Sequence, residues 1–404
     1  MNPLLPVDEA IARIIVGAAP TASDHVALAE AAGRTLAEPL KARRTQPPFD
    51  ASSMDGYAVR AADTAQVPAT LRVIGMSAAG RHYDGTVAAG EAVRIFTGAP
   101  VPDGADAILI QENAEANEAD GTVTVKQATA SGRHIRQAGL DFRENALLLD
   151  AGRRLDMREL ALVAAAGHSQ LPVRRKPVVA IVATGDELVA PGTLPAPDQI
   201  YAASSPGLAA YVDALGGEAR DLGIVRDDRA AITRVVERAL ALPADVVLTI
   251  GGASVGDHDL VQAALKEAGV TLDFWRIAMR PGKPLMLGHV DGTRVLGLPG
   301  NPVSSLVCAI LFLRPLIAAL LGQDQRDPTE SAILGSDLPE NDNRQDHIRA
   351  RLATRRGELP AAMPLPVQDS AMLGVLATAD CLIVRPPHAP AAKAGEPCRI
   401  IPLP

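Results

Sequence analysis

From residue 177 onward, short unbroken apolar runs alternate with segments whose apolar residues recur at helical spacing, and this alternation restricts the fold more than any other feature. The run Val178-Val-Ala-Ile-Val-Ala183 and the run Val246-Val-Leu-Thr-Ile250 have no polar face. Strands of that kind belong in a parallel sheet covered by helices on both sides. The pattern predicts strands over 177–183, 219–225, 245–250 and 271–278, a hairpin over 285–297, and helices over 205–215, 228–242, 260–268 and 303–321. The expected fold class is therefore multidomain α/β, built on a doubly wound, mostly parallel α/β domain.

The flanks read differently. A short helix is expected over 7–16, stopped by Pro20, and another over 158–166, stopped by Gly167. Between 39 and 150, Gly and Pro break the chain into short apolar runs, the texture of a β-rich insert. Beyond the polar linker 323–329, Pro and Gly recur among short strands with no helix-length period, which predicts a small β domain.

Bulk composition excludes several classes of function. With 48% hydrophobic and 21% charged residues the 404-residue chain is globular and long enough for two to four domains. Aromatics amount to 2%, too few for stacking platforms that read single-stranded nucleic acid. A net charge of -8 gives no general attraction to nucleic acid or anionic lipid, so any anion site must be local. Cys308, Cys381 and Cys398 form neither a C-x-x-C pair nor a disulfide framework, which fits a reducing compartment. Residues 1–10 do not read as a signal peptide, and the membrane-like stretch 303–321 contains Arg314 and Pro315, which predicts a buried helix rather than a span. A cytoplasmic protein with no nucleic-acid or membrane partner is expected.

Ligands of an open parallel sheet bind outside the carboxyl ends of its strands. The first such loop is Thr184-Gly185-Asp186-Glu187, a hydroxyl and two carboxylates, of which Asp186 is either a ligand or a helix N-cap. The second holds Asp227 and Asp228, either of which can cap the following helix. The third, Gly251-Gly252-Ala253-Ser254-Val255-Gly256-Asp257-His258-Asp259, combines glycines and a serine as a phosphate cradle does, while Asp259 either holds a divalent cation or a hydroxyl or caps the following helix. The fourth places Arg276, Arg280 and Lys283 within eight residues, an anion-binding cluster in a loop stiffened by Pro281 and Pro284. The fifth, Leu298-Pro299-Gly300-Asn301-Pro302-Val303-Ser304-Ser305, is a rigid turn whose free N–H groups suit another oxyanion. In the insert, the loops around Asp55 and Thr97 either face a ligand or close turns. There is no H-E-x-x-H and no G-x-S-x-G, so a zinc peptidase or α/β-hydrolase is unsupported.

Together the segments Ser53-Met54-Asp55-Gly56-Tyr57-Ala58, Thr97-Gly98-Ala99-Pro100-Val101-Pro102, Thr184-Gly185-Asp186-Glu187-Leu188, 251–256, Pro281-Gly282-Lys283-Pro284 and Leu298-Pro299-Gly300-Asn301-Pro302 resemble, in order, the molybdopterin molybdenumtransferase family, which includes bacterial MoeA and the gephyrin E domain. The resemblance implies a homodimer with each active site shared between subunits, and five parts to the chain. These are a helix in 1–26 packed on the linking and α/β regions, a linking domain of 27–46 and 147–176, a β-rich insert of 47–146, a molybdopterin-binding MogA-like α/β domain of 177–325 and a C-terminal β-barrel of 326–404.

The implied reaction inserts molybdate into adenylylated molybdopterin, with adenylate hydrolysis and AMP release, aided by Mg²⁺ or another divalent cation. By the same resemblance Glu187, Asp227 and Asp259 are catalytic metal ligands, and Asp55 and Thr97 are catalytic residues that reach the site from the partner subunit. The implied substrate contacts are Thr184, Gly185, Asp186, Gly251, Gly252, Ser254, Gly256 and Ser304, with Arg276, Arg280, Lys283, Pro299 and Pro302 at the anion end and Arg349 and Ser370 from the C-terminal domain. Other proteins of molybdenum-cofactor biosynthesis are possible partners.

Ile250 stands where many relatives have Ser, and Arg276 and Arg280 where many have Lys. Arg229 replaces a common Pro, which leaves the choice between Asp227 and Asp228 open. Two other readings are an adenylyltransferase, which resembles 177–322 alone and would release pyrophosphate from ATP, and a catalytically idle scaffold, which would fail to bind the pterin nucleotide.

Overall fold

The computed structural model describes residues 4–252, 260–353 and 359–404, apart from the side chains of residues 274 and 275. Its central sheet has six strands in the spatial order Glu218–Val225, Val178–Thr184, Val246–Ile250, Thr293–Leu298, Pro284–Val290 and Thr271–Arg276. The first four run parallel, and Pro284–Val290 lies antiparallel to both of its neighbours. Alternation along each strand sorts side chains onto two faces. Val179, Ile181, Val246, Leu248 and Ile250 join a core with Leu208, Val212 and Phe312, whereas Ala180 and Val247 meet Ile232, Val236, Val261 and Leu265. Helices thus cover both faces, as the apolar runs require.

Pro302–Cys308, a π-helical turn Ala309–Leu313 and Arg314–Leu320 form one continuous helix. Pro315 lacks an N–H and its ring clashes with the carbonyl four residues back, so the register widens there. The segment is long and apolar enough to cross a membrane, but most of it is buried in the larger core. The N-terminal helix Val7–Ile15 buries Val7, Ala10 and Ile14 in that same core.

Ser23–Ala27 pairs antiparallel with Gln170–Arg174. Beside them lies the helix Met157–Ala165, started by a capping box between Asp156 and Glu159. The insert carries a six-stranded sheet in the order Ala107–Ile110, Gly56–Val59, Glu91–Ile95, Ala69–Ser77, Thr122–Val125 and Ala114–Asn117. At the C-terminus, Gln345–Ala353, Ala361–Pro364, Glu330–Leu334, Pro397–Pro402 and Cys381–Arg385 pair in a ring that closes between the last and the first, a five-stranded barrel.

The strand expected over 271–278 ends at Arg276, and Met279–Arg280 leave the α/β sheet to pair with Gln345–Asp346 of the barrel. Thr184-Gly185-Asp186-Glu187 does not open a helix. It leads to Leu188–Val189, which pairs with Ile200–Tyr201 before the helix Ser204–Ala214 begins, so Asp186 is no N-cap. The C-terminal region also holds a helix, Leu373–Ala377, whose five residues are too few to display a period.

Candidate active site at the strand ends of the α/β domain

Thr184 closes its strand with a buried side chain, and its hydroxyl donates to the Ile250 carbonyl at 3.3 Å. The next strand is thereby tied on, and Gly251 follows with φ 93°. A Cβ at Gly251 would lie 2.5 Å from the Thr184 carbonyl oxygen, so only glycine lets the two turns approach this closely. The Gly251 amide donates to Leu298 at 3.1 Å, which brings the Pro299 turn against the same edge.

Glu187 is exposed, and its carboxylate folds back over Gly185, where a Cβ would meet Oε2 at 2.5 Å. Asp186 accepts from the Asp227 amide at 3.3 Å, which joins the first acidic loop to the second. Asp228 is the N-cap of Arg229–Ala241 and accepts from the Ala231 amide at 2.8 Å. Its side chain is spent on the helix, whereas that of Asp227 has no hydrogen bond or ion pair among the described residues.

Exposed carboxylates on hard-cation chemistry, with a glycine cradle behind Glu187, fit Mg²⁺, which takes one or two carboxylates and completes its shell with water and phosphate oxygens. Among the described residues no three His, Cys, Asp or Glu side chains gather into a metal-holding group. Asp259, Ser254 and Gly256 lie outside the described residues.

The cations separate. Arg276 ends its strand with a buried Nε that has no hydrogen-bond partner among the described residues. Lys283 is exposed beside Gly282, whose φ of 106° and close contact with Cys308 exclude a side chain. Arg280 is already engaged. Its Nε donates to Asp346 at 2.8 Å, a second nitrogen meets the other Asp346 oxygen, and Asp342 lies at 3.6 Å. Asp346 holds the guanidinium pKa above its ordinary value.

The Pro299 turn is also partly occupied. The Val303 amide donates to the Ser370 carbonyl at 3.1 Å, and Asn301 Nδ2 to Ser370 Oγ at 3.0 Å. Ser305 Oγ donates to the Pro299 carbonyl, which fixes the turn, while Pro302 is the first helical residue and Ser304 is buried. The expected free N–H groups are therefore fewer than the turn alone suggests. Arg349 is 1% exposed and donates to Asp369 O at 2.7 Å and Gln368 Oε1 at 3.1 Å. Burial pushes its pKa down, with Asp369 opposing. Through residues 368–370 the barrel is strapped to the turn. Asp346 and Gln368 carry no motif, and only the barrel's docking shows their place.

Asp55 and Thr97 meet in the insert, where Asp55 Oδ1 accepts from both the amide and the hydroxyl of Thr97 at 2.8 Å. These two bonds, with a smaller contribution from Arg94, hold the carboxyl below the usual range. Among the described residues no hydrogen bond or ion pair joins 47–146 to 177–325 of the same chain.

Acidic loops, glycine turns and an arginine whose buried Nε has no partner among the described residues, all at neighbouring strand ends, define an α/β protein built to take a phosphorylated or oxyanionic ligand. Three family descriptions match in order: "MoeA N-terminal region (domain I and II)" over residues 5–167, "Probable molybdopterin binding domain" over 180–319 and "MoeA C-terminal region (domain IV)" over 331–403. The molybdopterin molybdenumtransferase of Haemophilus influenzae is 36% identical over 95% of both chains, and that of Bacillus subtilis 32% identical over 98% of this chain and 94% of its own. A crystal structure of a molybdopterin biosynthesis MoeA protein from Pyrococcus horikoshii covers 99% of this chain and 100% of its own, with a TM-score of 0.84 at 28% identity. The chain belongs to the molybdopterin molybdenumtransferase family.

Proposed function

We propose that this chain transfers molybdenum to molybdopterin, taking adenylylated molybdopterin and molybdate, hydrolysing the adenylate and releasing AMP with the metal left on the pterin dithiolene. The observation that carries this reading is the convergence of Thr184, Glu187, Gly251 and the Pro299 turn at adjacent strand ends, with Arg276 and Lys283 beyond the neighbouring hairpin. Hydrolysis of a phosphoanhydride adds water at phosphorus and expels a phosphate oxygen, so charge develops on oxygen. Glu187 and Asp227, together with Asp259, would hold Mg²⁺, which when bound supplies Lewis-acid neutralisation of that charge.

The remaining roles are positional. Thr184, Gly185, Gly251 and Gly252 bring backbone close to the phosphates, with Ser254 and Gly256 assigned to the same cradle. Arg276 and Lys283 attract molybdate, the Nε of Arg276, without a partner among the described residues, offering a charged donor. Pro299, Pro302 and Ser304 shape the turn, and Arg349 and Ser370 tie the barrel to it.

Asp55 and Thr97 act in the site of a second copy, because among the described residues no hydrogen bond or ion pair brings the insert to the α/β domain; the active form is a homodimer, working in the cytoplasm. Incubation with adenylylated molybdopterin, molybdate and Mg²⁺ should yield AMP and metal-loaded pterin in equal amounts. Absence of AMP from a protein that still binds the pterin nucleotide would overturn the reading.

A further inference from the structure

Arg94 stands opposite Tyr57 in the antiparallel pair of Gly56–Val59 with Glu91–Ile95. The first of these strands begins one residue after Asp55, and the second ends two residues before Thr97. The guanidinium therefore lies between the two loops that carry the pair. One of its nitrogens donates to the Gly56 carbonyl at 3.3 Å and another to Gln111 Oε1 at 3.0 Å, while the Gln111 amide donates to the Asp55 carbonyl at 3.1 Å. Asp55 is thus tied, through its own carbonyl and through the residue that follows it, to groups that Arg94 holds.

The same cation lies 5.0 Å from the centre of the Tyr57 ring and 5.1 Å from that of Phe96. Two of the chain's ten aromatic side chains flank this one arginine, and Phe96 directly precedes Thr97. Such contacts favour Arg because its planar fork can stack and donate at once. Arg94 forms no ion pair among the described residues, so its charge is spent on these carbonyls and rings. Asp55 itself has Oδ1 filled by Thr97, and Oδ2 has no partner among the described residues.

We propose that Arg94 is a positioning residue for the reaction: it clamps the loops of Asp55 and Thr97 so that the free carboxylate oxygen of Asp55 is held at one orientation. The inference rests on the reading that Asp55 and Thr97 serve the active site. It predicts a defect in turnover rather than in substrate binding, because Arg94 touches neither the acidic loops nor the cations of the α/β domain. It also predicts that Arg94 matters only while Asp55 is present.

The test is a double-mutant cycle in full-length protein, read as kcat and KM for AMP release. Arg94→Ala should lower kcat by about tenfold or more, since small misplacements of a reacting group cost that much, with both KM values within about twofold of wild type. Arg94→Ala/Asp55→Asn should be no slower than Asp55→Asn alone, because coupled residues are not additive. Arg94→Lys, which keeps the cation over the rings but cannot span both oxygens, should fall between, and its cycle with Asp55→Asn decides the matter if Arg94→Ala does not fold. Wild-type kcat in both Arg94 variants, or a loss that multiplies with that of Asp55→Asn, overturns the clamp. Wild-type kcat in Asp55→Asn overturns instead the assignment of Asp55 to the site, and the clamp with it.

Discussion

Arg280 and Asp346 form a two-pronged ion pair across the boundary between the α/β domain and the C-terminal barrel, on strands Met279–Arg280 and Gln345–Ala353 that pair in parallel. The geometry uses both edges of a guanidinium, which a lysine cannot offer. It gives a physical reason for arginine at a position where the sequence resemblance leads one to expect lysine.

The pair is unequal in exposure, the Asp346 side chain at 11% and that of Arg280 at 49%. Arg280→Ala strands a nearly buried carboxylate and should cost about 3 kcal/mol, as breaking buried pairs does. Asp346→Ala leaves a guanidinium half in water and should cost about 1 kcal/mol. Denaturant unfolding of the two variants gives the order, and equal losses would mean that the carboxylate is solvated after all.

Molybdate dependence should follow Arg276, whose buried Nε has no partner among the described residues. Arg276→Ala should raise the half-saturating molybdate concentration by roughly 10- to 100-fold, the equivalent of a lost charged hydrogen bond, and Arg280→Ala by less. Titration of AMP release against molybdate measures both, and a larger shift for Arg280 would return it to the anion site.

The two adjacent aspartates should separate by assay. Glu187→Gln and Asp227→Asn should slow adenylate hydrolysis by about 10²-fold or more with the fold intact. Asp228→Ala should instead cost about 1 kcal/mol of stability, as the loss of an N-cap does, with hydrolysis near wild type. A silent Asp227→Asn with an inactive, fully stable Asp228→Ala would exchange the assignments.

Mixed dimers test the shared site. Asp55→Ala and Glu187→Ala homodimers should each be inactive, while a heterodimer has one site with both residues intact and one with neither. With random exchange about half the dimers are mixed, so recovery should approach about a quarter of wild-type activity per subunit. No recovery, with exchange confirmed by mass spectrometry, would place each site within one chain.

His347 gives the barrel a pH dependence. It is 2% exposed, and burial pushes its pKa down to about 4, the Arg280 backbone opposing. Because the folded value lies below the unfolded one, the unfolded state binds more protons between pH ~6.5 and ~4, so stability falls as pH drops through that window. The loss should be on the order of 1–3 kcal/mol. His347→Leu should flatten the pH dependence of the denaturation midpoint, and an unchanged slope would assign it to other groups.

Much of the α/β domain is legible because each element advertises itself locally. Val178–Thr184 and Val246–Ile250 are too apolar for anything but a covered strand, and the helix Arg229–Ala241 shows its period and its Asp228 cap. Asp227 and Asp228 are indistinguishable as letters, since both precede a helix; one hydrogen bond to Ala231 tells them apart. Leu373–Ala377 and the departure of Met279–Arg280 from the sheet depend on docking against a distant domain, which leaves no periodic trace.

By itself the sequence determined which loops carry acids, glycines and cations, because turn chemistry and apolar patterning act over a few residues. The tertiary structure alone decided which of those groups are spent and which are left over. Arg280 is paired by Asp346 from 66 residues away, the Nε of Arg276 has no partner among the described residues, and Ser370 occupies an amide of the Pro299 turn. Charge neutralisation and hydrogen-bond saturation act through space between segments far apart in the chain, so they follow from the fold and not from neighbouring letters.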